Sequence, residues 1–127
     1  MRTVVAAVIQ REDGRILVCQ RRGDAPHPLK WEFPGGKVEP GESAVEALRR
    51  ELSEELDMTP EIGPEITRYQ YQYPGRAPIL LIFFKVERFP REPRNLIFER
   101  IAWALPRDLP SYDFLEGDVE FVRALAR

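Results

Sequence analysis

The sequence predicts a single α/β domain, and three observations lead there. Short apolar or alternating runs bounded by turn residues read as strands. One longer segment with helical spacing and a capping signal lies between them. No linker, repeat or low-complexity stretch divides the 127 residues, so one domain over 1–127 is expected.

Taken in chain order, Val4 to Gln10 reads as a buried strand, Asp13-Gly14 as a hairpin turn and Ile16 to Gln20 as its partner. Gly23 to Lys30 carries Pro26 and Pro28 and must be loop. Ile66 to Tyr73 alternates, with Tyr69, Tyr71 and Tyr73 on one face and Arg68, Gln70 and Gln72 on the other. After a Pro74-Gly75 turn, Ile79 to Phe89 continues the sheet. Phe89 to Asn95 holds two prolines and is loop, Arg100 to Leu105 is a short strand, and a last helix runs from about Val119 to Ala126.

The central helix has the firmest limits. Ser43 with Glu46 three residues on is a capping box, no Gly or Pro intervenes from Ala44 to Leu56, and Pro60 stops continuation. With Leu48 at zero on a helical wheel, Val45, Leu52 and Leu56 lie within roughly 80° of it. Glu51, Glu54 and Glu55 fall on the adjacent arc, between roughly 240° and 340°.

Composition excludes several functions. Nineteen basic against twenty-one acidic side chains leave a net charge of −2, with no basic excess to hold a nucleic-acid polymer. The single cysteine, Cys19, forms no internal disulfide, and no Cys/His cluster offers a zinc site. The longest apolar run, Ile79 to Phe84, stops at Lys85, too short for a membrane span. A cytoplasmic protein, monomeric or weakly dimeric and without membrane partners, is expected.

Charge is nevertheless uneven. Between Gly36 and Met58, seven acids (Glu39, Glu42, Glu46, Glu51, Glu54, Glu55, Asp57) face three bases (Lys37, Arg49, Arg50). Carboxylates spaced three and four apart repel along a helix. They suit divalent ions that bridge carboxylates to an anionic substrate.

These residues resemble the Nudix hydrolase family. Its box is Gly, five residues, Glu, seven residues, Arg-Glu-aliphatic, one residue, Glu-Glu, one residue, Gly, aliphatic. Gly36, Glu42, Arg50-Glu51-Leu52, Glu54-Glu55 and Met58 stand at that spacing, over residues 36–58. Asp57 replaces the usual Gly, at a helix end where a left-handed conformation is wanted and Asp is among the less costly substitutes. Glu32-Phe33-Pro34-Gly35-Gly36-Lys37, Gln20-Arg21-Arg22, Trp103 and Phe114-Leu115-Glu116-Gly117-Asp118 extend the likeness to the MutT-type branch.

The resemblance implies an α/β/α sandwich around a mixed sheet. It also implies Mg²⁺-dependent hydrolysis of nucleoside triphosphates to monophosphate and pyrophosphate, with Mn²⁺ able to substitute. Glu51, Glu54, Glu55 and the Gly35 carbonyl are the implied metal ligands, with Glu51, Glu54 and Arg50 as catalytic residues; Arg50 would orient carboxylates through its planar fork. Arg22, His27, Phe33 and Asp118 are the implied substrate contacts. Of Arg21 and Arg22 only one can face the cleft, because neighbours on a strand point opposite ways. Asp118 also stands where it could cap the last helix, and the tyrosines read as a packed sheet face. Glu99 reads as a surface charge, its spacing to Trp103 being shorter than the branch pattern.

Oxidised purine and cytidine nucleotides are both open as substrates. The competing readings are a pyrophosphatase of ADP-ribose or other nucleoside diphosphate sugars, and a non-catalytic nucleotide-binding regulatory domain.

Overall fold

The structure is a computed structural model and describes residues 1–127. Its elements are β1 (Arg2–Ile9), β2 (Ile16–Gln20), β3 (Trp31–Glu32), β4 (Gly35–Lys37), α1 (Ala44–Leu56), β5 (Glu65–Tyr71), β6 (Ile79–Val86), β7 (Arg100–Ala104) and α2 (Val119–Leu125). Two short 3₁₀ turns, Pro106–Ser111 and Glu116–Asp118, precede α2. The strands form a mixed sheet of order β4-β1-β6-β5, with β1 and β6 parallel, and a smaller antiparallel sheet of order β3-β2-β7.

Alternation along β1 explains the layers. Val5, Ala7 and Ile9 face one core cluster with Leu48, Leu52 and Leu56 of α1, while Ala6 and Val8 face a second with Phe121 and Val122 of α2. A helix therefore covers each side, as the expected α/β/α sandwich requires. The first two strands depart from the expected hairpin. Asp13-Gly14 does turn the chain, with Gly14 at φ +90°, but β1 and β2 share only the Gln10–Ile16 bridge and then enter different sheets. Both strands are buried along most of their length, so neither has the polar face of a free-standing hairpin. The strand expected to reach Phe89 stops at Val86, and Phe89 stacks instead on Trp103 with centroids 6.1 Å apart.

Helix α1 has the limits and capping box read from the sequence: Ser43 Oγ accepts from Glu46 N, and Glu46 Oε1 accepts from Ser43 N. At its other end Asp57 is left-handed, at φ 53° and ψ 43°, and Met58 N donates to Leu52 O while its side chain is buried in the core. A strap from the far side completes this end. Arg94 N and Leu96 N donate to the carbonyls of Leu56 and Glu55, and Arg94 and Arg91 approach the Asp57 carboxylate at 3.3 and 3.6 Å. Two orphan carbonyls of α1 are thus satisfied.

An L-residue held left-handed costs about 1–2 kcal/mol, least for Asp, Asn and Gly. Asp57→Val should therefore lower unfolding stability by roughly 1–2 kcal/mol, while Asp57→Gly should stay within about 0.5 kcal/mol of the parent. Urea midpoints of the two variants decide this, and equal losses would mean that the exposed arginine pairs carry the position.

Candidate functional site

Position on the helical wheel decides how deep each carboxylate of α1 lies. Glu55, nearest the apolar stripe, is 7% exposed; the side chain of Glu51 is 16% exposed and that of Glu54, farthest round, is 58% exposed. Strand β4 runs against them because β1 pairs with it, Val5 opposite Gly36 and Ala6 opposite Gly35. Gly35 N donates to Glu55 Oε1 at 3.2 Å. A Cβ on Gly36 would lie 2.6 Å from the Glu51 carboxyl carbon, and one on Gly35 would lie 2.0 Å from Val5 O. Only glycine permits this approach.

Arg50 gathers the cluster. Its Nε and Nη2 donate to the two oxygens of Glu42 at 2.7 and 3.0 Å, and Nη1 donates to Glu51 at 2.8 Å and Glu54 at 3.3 Å. Nη2 also donates to Lys37 O at 3.0 Å, which ties the helix to β4. Glu42 is therefore no freely solvated charge: the Arg50 fork, helped by Glu39 N, lowers its pKa. Glu55 receives no such help from Arg50. Burial, then the neighbouring Glu51 carboxyl, then Glu32 hold its carboxyl far above the usual carboxylate range.

This oxygen-rich edge fits a hard divalent cation. Glu51, Glu54, Glu55 and the Gly35 carbonyl could hold one, and positive charge there would relieve repulsion that Arg50 leaves at Glu55. No three acidic, cysteine or histidine side chains converge on a finished cage. An ion that keeps water and substrate oxygens, as Mg²⁺ does, needs none.

Beside this edge opens a cleft of about 220 Å³. Gly35, Gly36 and Lys37 line one part, and His27, Phe33, Tyr73, Leu115 and Asp118 are among the residues lining the rest. Of the expected substrate contacts, His27, Phe33 and Asp118 are thus brought together. His27 sits in a loop at φ 53° with its ring 5.1 Å from that of Tyr73. Phe33 is both cleft wall and core, buried among Phe83, Phe114 and Phe121.

Arg22 is the one expected contact that lies apart from them. Arg21 lines the cleft, whereas Arg22 is 59% exposed and sits 3.7 Å from Asp24. Alternation limited the choice to one arginine, and contacts outside the strand made it. Arg21 donates to Glu32 Oε1 and to Pro26 O, both at 2.7 Å, which commits its guanidinium to the inner side. Glu32 was missed as a site residue. It is buried opposite Cys19 on β2, and burial raises its pKa against the opposing pull of Arg21. The two-residue strand holding it carries no periodicity to read. Glu99, expected at the surface, is exposed there.

Asp118 does not cap α2. Its backbone is helical, at φ −93° and ψ −12°, and its side chain makes no capping bond. Burial is the main reason its pKa is pushed up to about 8, Glu32 adding to the rise and the Phe33 N–H opposing it.

The family model described as NUDIX domain matches residues 1–125. The chain is 36% identical over 121 residues to the CTP pyrophosphohydrolase of Escherichia coli strain K12, covering 95% of this chain and 88% of that protein. It is 39% identical over 124 residues to the 8-oxo-dGTP diphosphatase of the same strain, covering 98% and 95%. Among solved structures, the Escherichia coli ORF135 protein superposes with a TM-score of 0.85 at 35% identity, covering 98% of this chain and 87% of that one.

Two measurements test the site's electrostatics. Arg21→Ala leaves Glu32 buried without its partner and should cost about 2 kcal/mol at pH 7, whereas Arg22→Ala should change the urea midpoint little. The second follows from Asp118. Its folded pKa lies above its unfolded value, so between about pH 4 and 8 the native state binds the extra proton and stability falls as pH rises. Asp118→Asn should remove on the order of 2 kcal/mol of that decline between pH 5 and 8, measured with chelator present. Parallel pH curves for parent and variant would show that Asp118 ionises freely.

Proposed function

Since the chain belongs to the NUDIX family, whose model spans residues 1–125, we propose that it hydrolyses nucleoside triphosphates to monophosphate and pyrophosphate. One observation carries this reading: a single cleft joins the Gly35-Gly36 strand, against which the α1 carboxylates pack, to a pocket of aromatic rings and the buried Asp118. The first suits phosphates and the second a base. The two relatives above are named for triphosphates, CTP and 8-oxo-dGTP, which favours that class over nucleoside diphosphate sugars. No helix is long and apolar enough to cross a membrane.

A divalent ion, Mg²⁺ or Mn²⁺ in its place, would neutralise phosphate oxygens and make water more acidic when held by Glu51, Glu54, Glu55 and the Gly35 carbonyl. The chain's own work is positioning. Arg50 keeps Glu42, Glu51 and Glu54 aimed along one edge, and the backbone at Gly35-Gly36 leaves room beside them. The water's oxygen bonds to phosphorus, the bond to the leaving phosphate oxygen breaks, and a carboxylate of this cluster takes the proton. Arg21 holds Glu32 between the carboxylate edge and the base pocket.

At the base end, His27 and Tyr73 form one wall, Phe33 another, and Asp118 offers the polar contact. Ionised, Asp118 accepts only and favours a base edge rich in N–H donors, as in the amino group of cytosine. Protonated, which its raised pKa favours near neutral pH, it both donates and accepts, as an amide would, and suits a purine edge that presents both.

Replacing Glu51 or Glu54 by Gln keeps side-chain size and removes a charge. Turnover with Mg²⁺ should fall on the order of 10²-fold or more while the fold survives, because like-charge repulsion is relieved. Pyrophosphate, rather than phosphate, should appear with the monophosphate. Near-parent turnover by Glu54→Gln at saturating Mg²⁺, or release of phosphate alone, would sink the assignment.

A further inference from the structure

Two tyrosines hold the backbone N–H and C=O of Gly117, which belong to successive peptide groups, next to Asp118. Tyr69 Oη donates to Gly117 O at 2.6 Å, and Gly117 N donates to Tyr73 Oη at 3.0 Å. Both polar atoms of the residue before Asp118 are thus bound by side chains more than forty positions away. Gly117 is buried, and a Cβ there would lie 3.0 Å from Tyr73 Oη and 3.3 Å from the Tyr71 ring. The tyrosines alternate along one face of the chain at β5, and Tyr69 and Tyr71 also pack on the second core cluster.

We propose that Tyr69 and Tyr73 are specificity-determining positioning residues, whose hydroxyls clasp the C=O and N–H of Gly117 and so set where Asp118 meets the base. The proposal rests on the reading of Asp118 as a base contact. Three features support it. Asp118 spends no bond on capping α2, so its placement depends on the backbone that carries it. That backbone is a three-residue 3₁₀ turn, Glu116–Asp118, with few constraints of its own. Tyr69 works from outside, lining a separate groove with Phe121 and Leu125, whereas Tyr73 lines the cleft itself. Burial raises the pKa of both phenols, which keeps them protonated and lets Tyr69 remain a donor.

Tyr69→Phe is the clean probe, because it removes one oxygen at a site that does not line the cleft. A lost hydrogen bond to a buried carbonyl corresponds to about fivefold or more in an equilibrium. The kcat/KM ratio between cytidine and oxidised-guanosine triphosphates should change about fivefold in Tyr69→Phe, with the half-saturating Mg²⁺ concentration unmoved. In an Asp118→Ala background the same change should leave that ratio alone, since the residue through which it acts is gone. Should Asp118→Ala misfold, Asp118→Asn serves as the background and the effect of Tyr69→Phe should differ from that in the parent. An equal shift of the ratio in both backgrounds overturns the clasp, and so does an unchanged ratio in Tyr69→Phe where Asp118→Ala alters it. If Asp118→Ala leaves the ratio as it was, the base-contact reading falls and the clasp with it. Amide hydrogen exchange gives an independent readout: Gly117 N–H should exchange faster by about tenfold in Tyr73→Phe, and equal rates would count against the clasp.

Discussion

The Arg50 guanidinium is the interaction on which the carboxylate edge depends. A helix that carries Glu51, Glu54 and Glu55 within one turn and buries one of them would resist forming if nothing offset the repulsion. Arg50 sits on the same helix and reaches Glu42 in the preceding loop, Glu51 and Glu54 beside it, and Lys37 O on β4. Five N–H donors in one plane serve several acceptors in fixed directions, which an ammonium could not do. Loop, helix and strand are thereby locked into one unit. Glu55 remains outside that arrangement, buried and short of positive charge.

The cleft is assembled from segments that lie far apart in the chain. Its glycine end is local, with β4 lining it and α1 packed behind β4 within about one supersecondary unit. Its aromatic end comes from the loop before β3, from the chain just after β5, and from residues Leu115 and Asp118. That last segment is fastened to β3, with Trp31 N donating to Asp113 O and Leu115 N to Trp31 O, both close to 2.9 Å. The two ends meet because β3 and β4 flank the Phe33-Pro34 corner, where Ala7 N donates to Pro34 O. Burial then couples them electrically: Glu32 raises the pKa of Asp118 on one side and Glu55 on the other. Charge placed at the carboxylate edge would be felt at Asp118 through this residue.

The box helix was legible in the sequence because every cue for it is local. Capping box, apolar stripe and carboxylate arc are properties of neighbours three or four residues apart. Even the graded burial of Glu55, Glu51 and Glu54 follows from their angles to Leu48. The left-handed end at Asp57 was likewise readable, since the backbone preference belongs to the position itself. The box residues, standing at fixed spacing, also carried the family and with it the fold class.

Tertiary structure alone decided the rest. The partners of β1 and β2 depend on which strands arrive to cover them, and a buried strand advertises no partner. Strands of two and three residues at β3 and β4 are too short to show a period, so Glu32 stayed hidden. Alternation left Arg21 and Arg22 as rivals until Glu32 and Pro26 O took Arg21 inward. Asp118 could have been a cap or a cleft residue by its position before α2. In the folded chain it makes no capping bond and lines the cleft, buried. Local sequence determines conformations whose energies arise within a few bonds; which side chain faces a cleft depends on contacts that exist only once distant segments have met.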